Sequence, residues 1–329
     1  MRAVVIREHG SLDKLLLEER TLPEPAADEV RVQVRAAGLN HLDTWVRRGV
    51  PGVKFPLPLV PGCDGAGVVD KAGAAARDVA PGDEVVLSPG IGHPLDREYG
   101  ILGETRDGTC AEYVVVPREN VLPKPARLSF EEAGAVPLAF LTAWAMLVRR
   151  AQVRPGEWVV VHAAGSGVGS AAIQIARLFN ARVIATASSD EKRKRARELG
   201  AEAALPYEEF AREVRRITNK VGADVVVDHV GPATWEGSVA CLRRGGRLVT
   251  CGGTSGHEIR FDVRPLFYKS LSFLGSTMGT LEELKTVLGH FVEGRLRPVI
   301  DRIYKLEEIR DAHRRLAERA VFGKVVVVP

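Results

Sequence analysis

The sequence predicts an α/β protein in which a β-rich region precedes a doubly wound parallel sheet. Two patterns along the 329 residues predict this. Up to about residue 125, short alternating or apolar runs are separated by Pro and Gly clusters. Beyond about residue 128, apolar runs alternate with helix-like segments. The length suffices for about two domains.

The β-rich region contains five runs that are typical of short strands. They lie at 2–6, 29–36, 66–70, 83–87 and 112–116. Turn clusters such as Pro61-Gly62 and Pro81-Gly82 separate them. Short strands broken by turns favour an antiparallel, barrel-like domain.

The second region repeats a strand–helix rhythm after a helix-like segment, Phe130–Arg150. Strands are predicted at Trp158–Val161, Val183–Ala187, Asp224–Asp228, Arg247–Cys251 and Ser270–Gly275, and helices at 190–199, 207–219, 280–294 and 306–318. Strands that alternate with helices predict a parallel sheet covered on both faces. The final run, Lys324–Val328, has no partner in such a sheet, so we expect it to return to the first domain.

A glycine-rich turn follows the first strand of the predicted parallel sheet. Its residues are Gly165, Ser166, Gly167, Val168 and Gly169. Glycines at this place in a βαβ unit let the pyrophosphate of a dinucleotide approach the N–H groups of a helix N-terminus. The pattern is not a strict G-x-G-x-x-G, because Ala164 and Ser166 stand at its first two glycine positions. A buried strand–turn–helix with small residues is the alternative, but the spacing to the second strand favours the dinucleotide.

No acidic residue ends the second strand of this βαβ unit. Ser188 and Ser189 stand there instead, followed by Lys192 and Arg193. A carboxylate would hold the ribose 2′-OH of NAD, whereas hydroxyls and cations suit a 2′-phosphate. The cofactor prediction is therefore NADP(H). The alternative is that Lys192 and Arg193 belong to the solvated face of helix 190–199.

Composition excludes several other classes of protein. The net charge of +4, from 46 basic and 42 acidic side chains, favours neither nucleic acid nor an anionic membrane as a partner. No apolar stretch reaches transmembrane length. Four widely spaced cysteines suggest free thiols in a reducing cytoplasm. Few Asn, Gln and Met among many charges suggest a heat-adapted, thermostable protein.

Seven segments together give the chain a family resemblance. They are Ala36–Asp43, Pro61–Gly67, Pro81–Val85, Gly108–Tyr113, Leu141–Trp144, Ala163–Gly169 and Phe322–Val325. With them the chain resembles the medium-chain dehydrogenase/reductase superfamily over essentially its whole length. The resemblance implies a GroES-like catalytic domain (1–124 and 277–329), an inserted Rossmann NADP(H)-binding domain (125–276) and a cleft between them. It also implies a homodimer or homotetramer formed through edge strand Ser270–Gly275, which is prone to aggregation if unpaired.

The zinc alcohol dehydrogenases of this superfamily bind catalytic zinc through three side chains. At the matching positions this chain has Asn40, Cys63 and Leu138, of which only Cys63 is a usual zinc ligand. Cys63 with Asp64 and His41 is the alternative ligand set. The structural zinc lobe needs four clustered cysteines, and Ser88–Gly108 contains none. We therefore expect no metal.

The first of these segments resembles the zinc-independent quinone oxidoreductase branch. That branch carries N-x-x-D-T, here Asn40 to Thr44, and often a Tyr where this chain has Trp45, which either narrows the pocket or is a core aromatic. The resemblance implies a catalytic set of Asn40, His41, Asp43 and Cys63. The Asn40 amide is the expected donor to the substrate oxygen, and Asp43 is expected to orient it or a water. His41 is either a proton relay or phosphate contact, or an ordinary surface histidine.

The resemblance also implies contacts with the cofactor outside the glycine turn. Thr142 and Cys251, Gly252 and Gly253 are expected at the nicotinamide, Ser276 at its carboxamide, His229 and Val230 near the adenosine, and Lys324 at a phosphate unless it is a solvated lysine.

The function so predicted is hydride transfer from NADPH to quinones, enones or activated or aryl ketones, without zinc. A zinc-dependent alcohol dehydrogenase with altered ligands and a low-turnover NADPH-binding protein are the alternatives.

Overall fold

A computed structural model describes the whole chain, Met1–Pro329. The strands are β1 (Arg2–Val5), β2 (Leu16–Glu19), β3 (Glu29–Leu39), β4 (Asp64–Ala72), β5 (Glu84–Leu87), β6 (Gly90–Ile91), β7 (Gly100–Ile101), β8 (Tyr113–Pro117), β9 (Val121–Pro123), β10 (Trp158–Val161), β11 (Arg182–Thr186), β12 (Ala203–Leu205), β13 (Ala223–Val227), β14 (Leu242–Thr250), β15 (Ser272–Gly275), β16 (Ile300–Lys305) and β17 (Lys324–Val328). The α-helices are α1 (His41–Arg48), α2 (Phe130–Gly134), α3 (Pro137–Trp144), α4 (Gly167–Leu178), α5 (Asp190–Glu198), α6 (Phe210–Ile217), α7 (Pro232–Cys241), α8 (Arg264–Tyr268), α9 (Leu281–Val292) and α10 (Ile309–Ala317). None of these helices is long and apolar enough to cross a membrane.

The chain folds as two units. The first comprises Met1–Leu141 and Gly279–Pro329, and the second comprises Thr142–Met278. Residues 125–141, which the sequence assigned to the Rossmann domain, lie in the first unit because α2 packs against β3 and β4. The backbones meet so closely there that a Cβ on Gly38 would lie 2.3 Å from the carbonyl oxygen of Gly134. The assignment of a function to each domain stays a prediction.

The main sheet of the first unit has seven strands in the order β16-β17-β3-β4-β5-β9, with β8 also paired to β3. All pairs are antiparallel except β16–β17. The closing strand β17 pairs with β3, Val325 opposite Leu39, so the expected return to the first domain is confirmed. This pairing sets the terminal strand beside the end of β3, where α1 begins.

Two local features of the chain depart from, or add to, the sequence prediction. The helix predicted over Phe130–Arg150 is broken into α2, α3 and a π-helical stretch, Ala145–Arg150. Pro137 explains the break after α2, because proline lacks an N–H and disfavours helical backbone in the residue before it. The cysteine-free segment from Ser88 contains the small hairpin of β6 and β7.

The second unit contains a six-stranded sheet in the order β12-β11-β10-β13-β14-β15. Every neighbouring pair is parallel, as the strand–helix rhythm predicted. The central valines of β10 and β13, at 159–161 and 225–227, are fully buried, as expected of strands covered on both faces. Strand β15 forms one edge of the sheet. The crossover from β10 to β11 carries the glycine turn to the N-terminus of α4.

Candidate active site

Asn40, which lies between β3 and the first residue of α1, is hydrogen-bonded to the carboxylate of Asp43 in the first turn of that helix. The backbone N–H of Asn40 donates to Asp43 Oδ2 at 2.7 Å, and the N–H of Gly62 donates to Asp43 Oδ1 at 3.0 Å. Asp43 is buried, and burial raises the pKa of its carboxyl to about 6. Asp43 therefore joins the start of α1 to the turn before β4, and it orients the backbone of Asn40.

The closing strand brings an ammonium group to the same place. Lys324, the first residue of β17, donates from Nζ to Asn40 Oδ1 at 2.5 Å and to Asp64 Oδ2 at 2.8 Å. Lys324 is 4% exposed and Asp64 0%, so water compensates neither charge. The geometry fits neither expectation for Lys324, a cofactor phosphate ligand or a solvated lysine, because the pairing of β17 with β3 turns it into the interior. We call Asn40, Asp43, Cys63, Asp64 and Lys324 the polar cluster.

The side-chain amide of Asn40 faces this cluster. Its Nδ2 donates to Asp64 Oδ2 at 2.9 Å, to Cys63 Sγ at 3.2 Å and to the carbonyl oxygen of Gly38 at 3.2 Å. An amide has two N–H bonds, and three acceptors already share them. In this geometry both N–H bonds of Asn40 are engaged inside the cluster, and its role as donor to the substrate oxygen stays a prediction that the geometry does not favour. Asn40 instead links the ammonium, the carboxylate and the thiol.

Cys63 is the member of the cluster that carries a thiol, and it has no contact with solvent. Its side chain is fully buried, and burial, with the nearby charges of Asp43 and Asp64, holds the pKa of its thiol well above the usual value. The thiol is therefore neutral near pH 7. A buried neutral thiol is a packing group and hydrogen-bond acceptor, so the structure does not support contact between Cys63 and a substrate.

His41 differs from the other predicted catalytic residues in keeping some solvent exposure. Burial of its ring, together with the charges of Arg319, Lys324 and Arg48, lowers the pKa of His41 to about 4. Its imidazole is therefore neutral at pH 7 and donates through one N–H. Trp45, one turn further along α1, is 36% exposed and is not the core aromatic that was one of its two interpretations.

The donor set of the polar cluster does not fit a zinc ion. Of the three positions that match zinc ligands, only Cys63 carries a usual ligand, and the Asn40 oxygen is held by an ammonium. The third, Leu138, contributes only its backbone N–H, which donates to Asp64 Oδ1 at 2.7 Å. No group of three or more His, Cys, Asp or Glu side chains in the protein is arranged to hold a metal ion.

The glycine turn of the second unit has the geometry of a phosphate-binding loop. Ser166 caps α4, and its Oγ accepts the N–H of Gly169 at 2.9 Å. Gly169 packs on the turn, since a Cβ there would lie 2.2 Å from the carbonyl oxygen of Ala163. The N-terminus of a twelve-residue helix, preceded by small residues, offers backbone N–H groups to an anion. Gly165, Gly167 and Val168 complete this turn, as predicted.

Two further turns lie with the glycine turn at the carboxyl ends of the parallel strands. His229 Nε2 lies 3.0 Å from Ser166 Oγ, and the Ser255 hydroxyl donates to the carbonyl oxygen of Val230 at 2.7 Å. Gly252 and Gly253 follow β14, and the N–H of Gly256 donates to the carbonyl oxygen of Gly253 to close a turn. The structure thus brings His229, Val230 and residues 251–253 together with the glycine turn, where α/β sheets bind ligands.

A buried carboxylate holds these turns from beneath. Asp228 Oδ1 accepts the N–H groups of Val230 and Gly231, both at 3.0 Å, and Oδ2 accepts the hydroxyl of Ser238 at 2.7 Å. These bonds and His162 lower the pKa of Asp228 against the opposing effect of burial. His162 is fully buried with hydrogen-bond contacts to Thr186 and Ser238, so it is a packed histidine.

Sequence reasoning did not place Asp228 among the functional residues, and it named Asp64 only in the alternative zinc ligand set. Asp64 directly follows Cys63, and Asp228 directly follows the apolar strand β13. A carboxylate directly after an apolar run at the carboxyl edge of a parallel sheet is the signal that could have identified Asp228. Nothing in the sequence pairs Asp64 with Lys324.

The residues at the expected nicotinamide end are buried or half-buried in the second unit. Thr142 Oγ1 donates to Met278 Sδ at 3.7 Å. The Oγ of Ser276 is buried without a hydrogen-bond partner, while its N–H donates to the carbonyl oxygen of Thr250 at 2.8 Å. Burial raises the pKa of the Cys251 thiol to about 12. The unpartnered Ser276 hydroxyl fits a bound polar group such as a carboxamide.

The residues after β11 include a helix cap and a cation. Ser189 caps α5, its Oγ accepting the N–H of Lys192 at 3.2 Å, whereas Ser188 is exposed. The guanidinium of Arg193 donates to the carbonyl oxygen of Ala187 at 3.1 Å and to Asp190 at 2.6 Å. A cation therefore lies at the end of this strand, where the sequence predicted a site for the 2′-phosphate, and Ser189 is partly occupied by capping.

Comparison with known proteins agrees with this architecture. A family profile described as "Alcohol dehydrogenase GroES-like domain" matches residues 26–126, and one described as "Zinc-binding dehydrogenase" matches residues 167–293. The chain is 34% identical to a quinone oxidoreductase of Pseudomonas aeruginosa, over 98% of this chain and 97% of that protein. It is 32% identical to a zinc-type alcohol dehydrogenase-like protein of Schizosaccharomyces pombe, over 99% of each.

A solved structure titled as an NAD-dependent alcohol dehydrogenase is also similar, with a TM-score of 0.97, 50% identity and full coverage of both chains. The fold, the dinucleotide-type turn and these relatives define the class of the protein, an NAD(P)H-dependent oxidoreductase. It combines a GroES-like domain with a Rossmann-like domain, as its motifs predicted. The chain belongs to the medium-chain dehydrogenase/reductase superfamily.

The raised pKa of Asp43 gives a pH dependence of stability. A carboxyl with a pKa near 3.8 when unfolded and about 6 when folded keeps its proton more tightly in the native state. The stability that this proton adds is complete below about pH 4 and is lost as the pH rises through about 6. We expect the free energy of unfolding of the wild type, measured against that of Asp43→Asn, to fall by about 3 kcal/mol between pH 4 and 7.

Denaturant unfolding at steps of half a pH unit measures this difference. Asp28→Asn, at an exposed carboxylate, controls for the loss of one charge. A difference between wild type and Asp43→Asn that stays constant with pH would contradict the assignment.

Proposed function

We propose that the protein is an NADPH-dependent, zinc-independent reductase that transfers hydride to quinones, enones or activated or aryl ketones. The observation that carries this proposal is the polar cluster: a lysine ammonium holds an oxygen of Asp64 and the oxygen of Asn40, which stands at one of the positions that match zinc ligands. The 34% identical relative named quinone oxidoreductase supports it. The free thiols suit an enzyme of the reducing cytoplasm.

The chain's own residues support cofactor binding in the second unit. The N–H groups at the start of α4 bind the pyrophosphate, and the Ser276 hydroxyl, buried without a partner, binds the carboxamide. When bound, the nicotinamide supplies the hydride. Asp228 keeps the turn at Val230 and Gly231 in place by accepting both of their N–H groups.

The class of hydride acceptor follows from the hydrogen-bond donors that the first unit has for the negative charge that develops on the substrate oxygen. The Asn40 amide is engaged inside the cluster, so His41, neutral and half-buried, is the proposed donor and proton relay. A single neutral hydrogen-bond donor stabilises this negative charge less than a metal ion acting as a Lewis acid does. Quinones, enones and activated ketones spread the charge by conjugation, whereas simple alcohols and ketones do not. The geometry therefore favours conjugated acceptors.

The direct test is steady-state turnover before and after treatment with a chelator. We expect oxidation of NADPH by a benzoquinone or an enone to survive chelation, and oxidation of simple alcohols to be at least tenfold slower. Loss of activity on chelation, restored by zinc, would instead identify an alcohol dehydrogenase with altered ligands. Binding of NADPH without turnover of any acceptor would identify a cofactor-binding protein.

The preference for NADPH is proposed from the end of β11, which lacks a carboxylate and carries exposed Ser188 and the cation of Arg193. Two observations favour NADH instead: a structure titled as an NAD-dependent enzyme is 50% identical to this chain, and Asp190 pairs with the Arg193 guanidinium. The test therefore compares the binding of the two cofactors directly. Ser188→Asp should weaken NADPH binding at least tenfold relative to NADH, because a carboxylate repels the 2′-phosphate and binds the 2′-OH. Ser188→Ala is the control. An unchanged ratio of NADPH to NADH dissociation constants would contradict the proposal.

We also propose that the protein forms a homo-oligomer through the edge of the six-stranded sheet. Beside edge strand β15, the helix α8 exposes Phe267 by 69%, with Val263 and Tyr268 similarly exposed. Such an apolar patch next to an unpaired edge is suited to a second copy. Phe267→Glu should shift the sedimentation of the protein toward the monomer. Leu95→Glu, at a residue 82% exposed in the other unit, should leave it unchanged, and an unshifted Phe267→Glu variant would contradict the proposal.

A further inference from the structure

We propose that the protein has a further ligand site, an open pocket beside the last turns of α1 and α10 that binds a small molecule carrying a phosphate group. The site goes beyond the proposed function, because its residues belong neither to the polar cluster nor to the glycine turn. Its lining comes from three segments of the first unit: residues 10–12, the end of α1 and the end of α10. Three of the lining side chains are guanidiniums, those of Arg47, Arg48 and Arg314, and one, Glu318, is a carboxylate.

The first argument is a buried cation without a countercharge. Arg47 is 2% exposed, and its side chain makes a single hydrogen bond, from Nη1 to the carbonyl oxygen of Gly10. Its Nε is buried without a partner. Asp13 is the one carboxylate whose charge acts on Arg47, and Asp13 is already bonded to Ser11 and paired with Lys14. A buried charge without a partner is strongly destabilising, so the position of Arg47 indicates that a bound anion completes it.

The second argument is that helix ends alone do not explain these arginines. A cation in the last turn of a helix is favoured by the helix dipole, which accounts for the exposed Arg48 and Arg314. Arg314 is also paired with Asp311 of the same helix. Arg47 is different, because burial, and then the charge of Arg48, lower the pKa of its guanidinium. Two like charges at one pocket disfavour each other until an anion lies between them.

The third argument is a group of buried polar atoms without partners where α1 packs against α10. His313 of α10 is fully buried, and neither of its ring nitrogens has a hydrogen-bond partner. Burial and the charge of Arg47 lower the pKa of His313 to about 3, so the ring is neutral and lies near the guanidinium. The hydroxyl of Thr44, one turn before Arg47 on α1, is also buried without a partner. Such atoms are rare in protein interiors and indicate a polar occupant.

The chemistry of the pocket favours a phosphate group over a carboxylate. A guanidinium donates through a planar fork, and the three terminal oxygens of a phosphate group accept from several guanidiniums at once. A carboxylate has two oxygens and one charge, so it satisfies fewer of the arginines. The pocket has a volume of about 550 Å³, which is in the range of small-molecule sites and leaves room for an organic group beside Leu12 and Ala317.

Direct binding of phenyl phosphate tests the proposal. The full-length protein is titrated by calorimetry in phosphate-free buffer, with NADPH in excess so that the proposed cofactor site is filled. We expect one-to-one binding, with inorganic phosphate and benzoate each bound more weakly, because one lacks the organic group and the other lacks the phosphate. Arg48→Met and Arg314→Met should weaken the binding of phenyl phosphate at least tenfold. Arg302→Met, at an exposed arginine of β16 in the same unit, is the matched control and should bind as wild type does.

The buried arginine is tested through stability as well as binding. Phenyl phosphate should raise the Tm of wild type, because a ligand that binds only the folded protein stabilises it, and it should leave the Tm of Arg47→Met unchanged. If Arg47→Met does not fold, Arg47→Lys replaces it. This variant keeps the charge but lacks the fork, so it should bind phenyl phosphate at least tenfold more weakly than wild type.

Three results would overturn the inference. Wild type that does not bind phenyl phosphate has no such site, and equal affinity in wild type, Arg48→Met and Arg314→Met would place the ligand elsewhere. Benzoate bound as tightly as phenyl phosphate would contradict the assignment of a phosphate group. None of these results bears on the proposed reductase function, which turnover before and after chelation tests separately.

Discussion

The ion pair between Lys324 and Asp64 is the interaction on which the first unit depends. It joins the last strand of the chain to β4, and through Asn40 it also fixes the start of α1. Neither partner has access to water, so loss of one leaves a buried charge without compensation, which costs several kcal/mol. The second oxygen of Asp64 accepts the N–H of Leu138, so the same carboxylate also holds α3. A single buried pair thereby organises strands, helices and the candidate site.

The second unit also contains a buried carboxylate, which is stabilised without a lysine or arginine partner. Asp228 is buried at the carboxyl ends of the parallel strands, and its oxygens accept two backbone N–H groups and the hydroxyls of Thr234 and Ser238. Burial raises the pKa of this carboxyl, but the interaction with His162 and the hydrogen bonds to the charged form outweigh it and lower the pKa. Because these donors belong to the turn that follows β13 and to α7, the carboxylate fixes the turn at which the cofactor is proposed to bind. In both units a buried carboxylate sets the position of functional backbone.

The sequence predicted the architecture because periodicity and turn residues are local signals. The parallel sheet and the glycine turn before α4 follow from patterns within a few residues, and the return of β17 follows because its run has no partner in such a sheet. The contacts inside the polar cluster could not be predicted so well, since Lys324 and Asn40 are 284 residues apart in sequence. Asn40 and Lys324 were both recognised as site residues, but their partners, and so their roles, depend on strand pairing. The break at Pro137 is the opposite case, because proline is a local signal that the prediction of one helix over Phe130–Arg150 did not use.

The central claim is that Lys324 and Asp64 form a strongly coupled pair that defines the site. A double-mutant cycle with Lys324→Met, Asp64→Asn and the double variant, followed by denaturant unfolding, measures their coupling free energy. The structure predicts that each single variant is destabilised by about 3–5 kcal/mol and that the double variant recovers a large part of that loss. Additive losses, with a coupling free energy near zero, would contradict the account.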